Sequence, residues 1–391
     1  MPYSFALPTT SAFSYSCFFS SDSHPSLPLA ASKCRGVLRD TLKTHKRLPP
    51  AEQATHLPSV LRSLNNYLPF LIAIDQGLDS KISSDQSIDV VLKSTPTFEW
   101  RQTLSSNSIP GREKAKLKVN SLEYEIYFTL SSMAYSHTLL SRTSLYPLYN
   151  LTTALPNLEQ RTLAITTATK HLLTAGSIHD FLAKCSENIL EPPPCIDLSQ
   201  STFKALASLS LAEATLLAVL KDDPYPAVIA HGRNKCYNEW MIKSPDVRKV
   251  RVNLLARLCL AAAEHASNGL SLLNNVTPKA QGKINSELIN YIEELRKCSR
   301  GKACRFFGIG AELDGQIGTA ISWLKAGMRQ VGLTSDDITK RGLKKLKKEW
   351  EEKREERRIQ KESQWGNDAG RLEESRILEF LENKWSKIND L

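Results

Sequence analysis

Apolar residues in this chain recur at helical spacing, and in the middle of the sequence they recur on two sides of the same segment. Over "SLEYEIYFTLSSMAYSHTLL" (121–140), Leu122, Ile126, Leu130, Met133 and Leu140 form one stripe at 100° per residue. Tyr124, Phe128 and Tyr135 form a second on the opposite side. A surface helix needs one apolar stripe, so two place a helix between neighbours. "DLSQSTFKALASLSLAEATLLAVLK" (197–221) repeats the pattern. There Phe203, Leu206, Leu209, Leu216, Leu217 and Leu220 share a broad face that Ala207, Leu211 and Ala214 extend. The alanine-rich run from Val247 to Leu273 predicts a third buried helix. The pattern predicts a mostly all-α, layered array.

Either side of this core the pattern changes. Residues 1–32 are rich in Ser, Pro and Phe with no helical period, and read as extended chain or short strands laid on the helices. Helix is predicted from Lys33 to the Pro49-Pro50 stop, with two further helical stretches before a break at Pro110-Gly111. "EPPPCIDLSQ" forbids helix, and Ser199 or Asp197 is placed to cap the next one. In "FFGIGAELDGQIGTAISWLKAG" (306–327), Gly308, Gly310, Gly315 and Gly318 raise the question of a phosphate loop. No strand precedes them and no Gly-Lys-Ser/Thr closes them, so the cluster predicts a tetratricopeptide-like helical hairpin instead. In it Asp314-Gly315 turns, Gly308 meets Ala320, and Phe307 and Leu324 fill the adjacent holes. Residues 344–361 predict a projecting helix charged all round, and Leu372, Ile377, Phe380, Leu381 and Trp385 a last helix folded back on the body.

Charge adds one expectation: a net +10 over 391 residues suits an acidic partner or an anionic surface. The stretch from Lys33 to Arg47 holds six Lys/Arg against one Asp and reads chiefly as a solvated face. With the 344–361 helix it predicts weak, salt-sensitive contact with anionic membranes. Without aromatics interleaved for base stacking, nucleic acid is not expected as a partner. Eight scattered cysteines without a Cys-x-x-Cys pair read as reduced thiols of a cytosolic chain, and no window approaches eighteen apolar residues.

Candidate chemistry is thin. There is no His-Glu-x-x-His zinc motif and no Gly-x-Ser-x-Gly elbow, and the expectation is a non-enzyme without metal or cofactor. His137 is expected as a hydrogen-bonded core histidine, and His171 and His179 as too far apart to share a metal. A dyad of His231 and Cys236 is the one catalytic alternative, and it lacks a third orienting group.

Three segments, in order, carry a family resemblance. "LEYEIYFTLSSMAYSHTLLSR" resembles the long sandwiched helix of BRO domains. "DLSQSTFKALASLSLAEAT" is similar to the family's Asp-Leu-Ser opening and Leu-Ala-Gln-Ala-Gln-Glu helix, and the glycine-rich hairpin to its last tetratricopeptide-like unit. The resemblance implies an elongated, curved scaffold, one BRO-like domain over 1–391. Its parts would be an extended and basic region (1–110), a helical core (111–335, hairpin 300–330) and a C-terminal part (336–391). Further segments, such as "KDDPYPAVIAHGRNKCYNEWMIKSPDVRKVRVNLL", look most like the family's pH-signalling branch. That implies an adaptor that binds the C-terminal helix of an ESCRT-III core subunit (the Snf-seven type) and works with arrestin-like and calpain-like proteins. It would be cytoplasmic, recruited to cortical plasma-membrane or endosomal sites, and would help activate proteolytic processing of a pH-responsive transcription factor. A general ESCRT accessory role in multivesicular-body sorting is the neighbouring alternative. The helix-binding patch would map to Ala218, Val228, Ile229 and Gly232, thinner than the family's Phe, Ile and Leu.

Overall fold

The computed structural model describes residues 1–78, 88–106, 115–149, 157–189, 192–226, 249–275, 283–333 and 365–389. Its helices are α1 (Leu27–Arg47), α2 (Pro50–Leu78), α3 (Leu122–Leu145), α4 (Leu158–Cys185) and α5 (Gln200–Asp222). After these come α6 (Lys249–Asn274), α7 (Ser286–Leu313), α8 (Ile317–Gln330) and α9 (Arg371–Asn389). Each helix packs on the next in chain order, and α9 returns across both α7 and α8. The starts are written locally. Pro50 opens α2 where its missing N–H costs nothing. The Ser199 hydroxyl accepts from the Thr202 N–H at 3.2 Å to cap α5, and Asn157 with Gln160 closes a capping box on α4.

The two-stripe helix is as expected: α3 is buried on nearly every side, including Leu122, Phe128, Met133 and Tyr135. Much of its interior polarity is satisfied within the helix itself, although the buried hydroxyls of Ser131 and Ser141 find no hydrogen-bond partner. The hydroxyls of Thr129, Ser132, Ser136 and Thr138 each donate to the carbonyl four residues earlier. Among the described helices α5 alone is long and apolar enough to cross a membrane. Its side chains instead enter the protein core, with Leu206 and Leu209, Leu217, and Val219 in three separate apolar clusters.

The N-terminal region is extended, with Thr10 bridged to Trp100. Short antiparallel strands lie beside it. β1 (Phe19–Ser20) pairs with β2 (Val91–Leu92), and β3 (Phe98–Trp100) with β4 (Leu117–Val119) in the register Phe98↔Val119. Among the described residues the expected second helical stretch before residue 110 does not appear: after the 29-residue α2, residues 88–106 are extended. The glycine-rich hairpin forms from α7 and α8. Gly315 turns the chain at φ +75° and Gly308 lies against the Ala320 carbonyl. Leu324 is buried, but the inner aromatic is Phe306, while Phe307 is half-buried against Trp323 with ring centroids 4.9 Å apart. α9 covers the hairpin with Ile377, Leu378, Leu381 and Trp385. The charged 344–361 segment lies outside the described residues.

Candidate partner-binding face

α5 is held by its neighbours on most sides and leaves one line to solvent, Lys204, Leu211 and Ala218 at helical spacing, ending in the exposed Lys221 and Asp222. Leu211 is 41% exposed, a large apolar side chain that the fold does not use. Gly176 of α4 backs onto the Ala207 carbonyl and Ser210, so Leu173, 48% exposed, stands at the same level of the neighbouring helix. Of the four residues expected to take a partner helix, Ala218 is therefore exposed on α5. Val228, Ile229 and Gly232 lie outside the described residues, as do His231 and Cys236 of the alternative dyad.

How the chain leaves α5 toward them is defined. The Asp223 N–H donates to the Val219 carbonyl and ends the helix, and Arg161 from α4 donates to the Leu220 and Asp223 carbonyls at 2.9 and 3.0 Å. The Asp223 carboxylate accepts the Tyr225 N–H at 3.1 Å and the Arg305 guanidinium at 2.5 Å, and that guanidinium covers the Tyr225 ring at 5.4 Å. Arg305 and Lys302 both reach Glu374 of α9 at 2.7 Å. Burial would raise the Glu374 carboxyl, but these cations outweigh it and hold the group below its ordinary value. Arg305 thus fixes the exit turn to α7 and α9. Its signal in the sequence was a charge inside the run Cys304–Phe307.

A second buried arginine corrects the reading of the basic N-terminal stretch as solvated. Arg35 lies on the inner side of α1, donates to Glu125 at 2.8 Å, and also reaches Thr10 and the Ser11 carbonyl at 2.6 Å. Lys33, Lys46 and Arg47 do face solvent. Asp197, one of two capping candidates, caps nothing. It accepts the Thr103 and Leu104 N–H groups and the Ser105 hydroxyl at 2.6–2.9 Å, pinning the chain after β3.

The described histidines do not assemble a catalytic set. His137 is hydrogen-bonded as expected, but to His171, with Nδ1 atoms 3.0 Å apart across α3 and α4, a pairing that sequence spacing could not reveal. Burial, then the facing His171, lowers His137 to about 4. His179 is in the core beside Tyr135, and burial lowers it to about 3. Among the described residues, no three His, Cys, Asp or Glu side chains group to hold a metal, and the cysteines are free thiols, with Cys195, Cys259 and Cys298 buried.

The helical order, the short N-terminal strands and the terminal hairpin together are a BRO1 domain. The chain superposes on ALIX bound to the SIVmac239 PYKEVTEDL late domain with a TM-score of 0.59 and 16% identity, over 100% of this chain and 45% of that one. On the ALIX BRO1–CHMP4C complex it gives 0.56 and 16%, over 99% and 87%. No family model matches the sequence. The sequence is 40% identical over 429 residues to the pH-response regulator protein palC of Emericella nidulans, covering 100% of this chain and 83% of that protein. The chain belongs to the palC family of pH-response regulators.

Proposed function

We propose that this chain is a non-catalytic adaptor of pH signalling that receives the C-terminal amphipathic helix of an ESCRT-III core subunit on the α5 face and the segment just after it. The observation that carries this is the exposed line through Leu211 and Ala218 on an otherwise enclosed helix, leading through an anchored turn toward Val228 and Ile229. A neighbour of the same fold is known in complex with CHMP4C, which supports the class of partner. An amphipathic helix lays apolar side chains at i, i+3, i+4 and i+7 into such a surface. Arrestin-like and calpain-like pH-signalling proteins, and weak contact of the exposed α1 cations with anionic membrane at cortical or endosomal sites, complete the reading.

The test is calorimetry of the full chain with a peptide of that helix. Micromolar binding is expected. Ala218→Asp and Val228→Asp should each make it undetectable, because an unpaired carboxylate desolvated on binding costs several kcal/mol. Parent-like binding by both folded variants removes this face from the reading. His231→Ala should leave binding and signalling unchanged; a loss there favours the dyad.

A further inference from the structure

Residues 1–5 dock against α3, α5 and α7, and they are held differently from the chain just beyond them. Tyr3 donates its N–H to Glu213 at 2.8 Å and sets its ring against that of Tyr291, with centroids 5.1 Å apart. Phe5 stacks on Tyr135 at 4.6 Å, and the Pro2 carbonyl accepts from Arg142 at 3.0 Å. From Thr9 onward the partners belong to the extended segment around β3 instead. The Thr9 carbonyl accepts from the Arg101 N–H at 2.9 Å, and the Ser11 N–H donates to the Glu99 carbonyl at 3.2 Å. Arg35 holds the Ser11 carbonyl as well.

Glu213 is the centre of the first set, and hydrogens can be counted around it. The Tyr291 hydroxyl lies against two acceptors at once, Glu213 Oε1 at 2.7 Å and the Met1 carbonyl. A tyrosine hydroxyl has one hydrogen to give. When that hydrogen goes to Met1, only a protonated carboxyl supplies the one that joins Glu213 to Tyr291. With the proton in place, a chain of hydrogen bonds runs from Glu213 through Tyr291 to Met1. Without it the hydroxyl turns to the carboxylate, the Met1 carbonyl loses its donor, and a charge stays at a side chain only 3% exposed. The helix motif that this segment resembles has glutamine at this place, a side chain that donates and accepts at any pH.

The surroundings do not neutralise a carboxylate. A cavity of about 40 Å³ beside Glu213 is lined by Met1, Asp223, Lys302 and Glu373 among others, and by no described residue of α4 or α6. Lys302 is committed to Glu374, and Asp223 to Arg305. Burial raises the Glu373 carboxyl too, so the second acid in the cavity also resists ionising. The Met1 amine and Arg142 favour an ionised Glu213, but desolvation outweighs both and pushes it up to about 7.

We propose that residues 1–7 form a strap held closed by a proton on Glu213, and that it lifts about a hinge at Thr9–Ser11 when that proton passes to solvent as the medium turns alkaline. Lifting takes Tyr3 off Tyr291 and Phe5 off Tyr135, and uncovers the apolar cluster that includes Leu206 and Leu209 of α5. The anchors of Thr9 and Ser11 do not involve Glu213 and stay in place.

The experiment is amide hydrogen exchange on the full chain, read residue by residue between pH 6 and pH 9 and corrected for the intrinsic exchange rate. Protection at residues 3–7 should be level on the acid side and fall about tenfold per pH unit above about 7, as release of one proton requires. Ser11, at the hinge, should keep its protection. Glu213→Gln, whose amide imitates the protonated carboxyl, should hold residues 3–7 at the acid level throughout. It should also remove part of the protonated-carboxyl infrared band that the parent shows at pH 6 and loses by pH 9. Tyr291→Phe, which keeps the ring against Tyr3 but not the bridge to Met1, should lower protection of residues 3–7 at pH 6. Level protection in the parent, a parallel fall in Glu213→Gln, an equal fall at Ser11, or an unaffected Tyr291→Phe each overturns the proposal.

Discussion

Glu213 faces inward from α5 and accepts only neutral donors, the Tyr3 N–H at 2.8 Å and the Tyr291 hydroxyl at 2.7 Å. Burial, only partly offset by those bonds, pushes its carboxyl up to about 7. With a folded pKa above the unfolded 4.5, its contribution is fully present below about 4.5 and is lost as pH rises through about 7. Glu213→Gln keeps an acceptor and removes the titration. The variant should gain on the parent between pH 5 and 8, by an amount on the order of 3 kcal/mol at about 1.4 kcal/mol per pKa unit. Melting temperatures of the two proteins across that range check it; parallel curves would exclude a titrating Glu213. The histidines act with the opposite sign. His45, lowered by burial and then by His56 to about 4, His137 at about 4 and His179 at about 3 are all held neutral. Their contribution is present above about 6.5 and drains away as pH falls toward 4. His179→Leu should therefore flatten the acid limb of the same curve, and an unchanged limb would mean that His179 already titrates normally. Apart from the hydrogen-bonded place of His137, none of this was legible in the sequence. A glutamate in "SLAEATLL" or a histidine in "GSIHDF" shows its environment only when chain 78 residues away, Tyr291, or 44 away, Tyr135, is brought against it.

At the scale of elements, the hairpin of α7 and α8 depends on glycines of two kinds. A Cβ on Gly308 would stand 3.2 Å from the Ala320 carbonyl oxygen and 3.2 Å from the Trp385 ring, while a Cβ on Gly318 would meet nothing within 4 Å. Gly308→Val should cost about 1–3 kcal/mol through overpacking. Gly318→Ala should gain roughly 0.5 kcal/mol by restricting the unfolded chain. Denaturant midpoints at constant slope distinguish them, and equal effects would mean the hairpin is not packed as described. This hairpin was legible because its signals are local: a turn glycine, small residues at helical spacing and apolar stripes on both sides. The same holds for α3 and α5, whose double stripes are complete within one helix. The strands beyond residue 32 were not legible, since three residues such as Phe98–Trp100 carry no readable alternation and pair across the chain to Leu117–Val119. Arg35 and Arg305 were hidden for a related reason. A charge on an apolar stripe reads as solvated until its carboxylate, 90 residues from Arg35 or 82 from Arg305, is known. The partner face itself entered through resemblance, and only the exposed line through Ala218 gives it a physical basis.

Across the whole molecule, the ion cluster around Arg305 joins parts that the order of helices would otherwise keep apart. Asp223 belongs to the exit from α5, Arg305 and Lys302 to α7, and Glu374 to α9. All four sit out of solvent or nearly so. Such a cluster is weak evidence of net stability, because desolvation consumes much of the Coulombic gain. Removing one member is costly, because the others remain buried and unmatched. Glu374→Gln leaves Arg305 with Asp223 alone and Lys302 without its carboxylate, a loss of about 3–5 kcal/mol. Since α9 covers Phe306, Ala320 and Leu324, the loss should not stay at the C-terminus. It should loosen the α7–α8 hairpin and the turn that leads from α5 toward Val228. Calorimetry of Glu374→Gln is expected to show one transition at lower temperature, with binding of the ESCRT-III helix weakened in step. Two resolved transitions, of which only one moved and binding followed neither, would make α9 and the hairpin a separate unit from the α5 face.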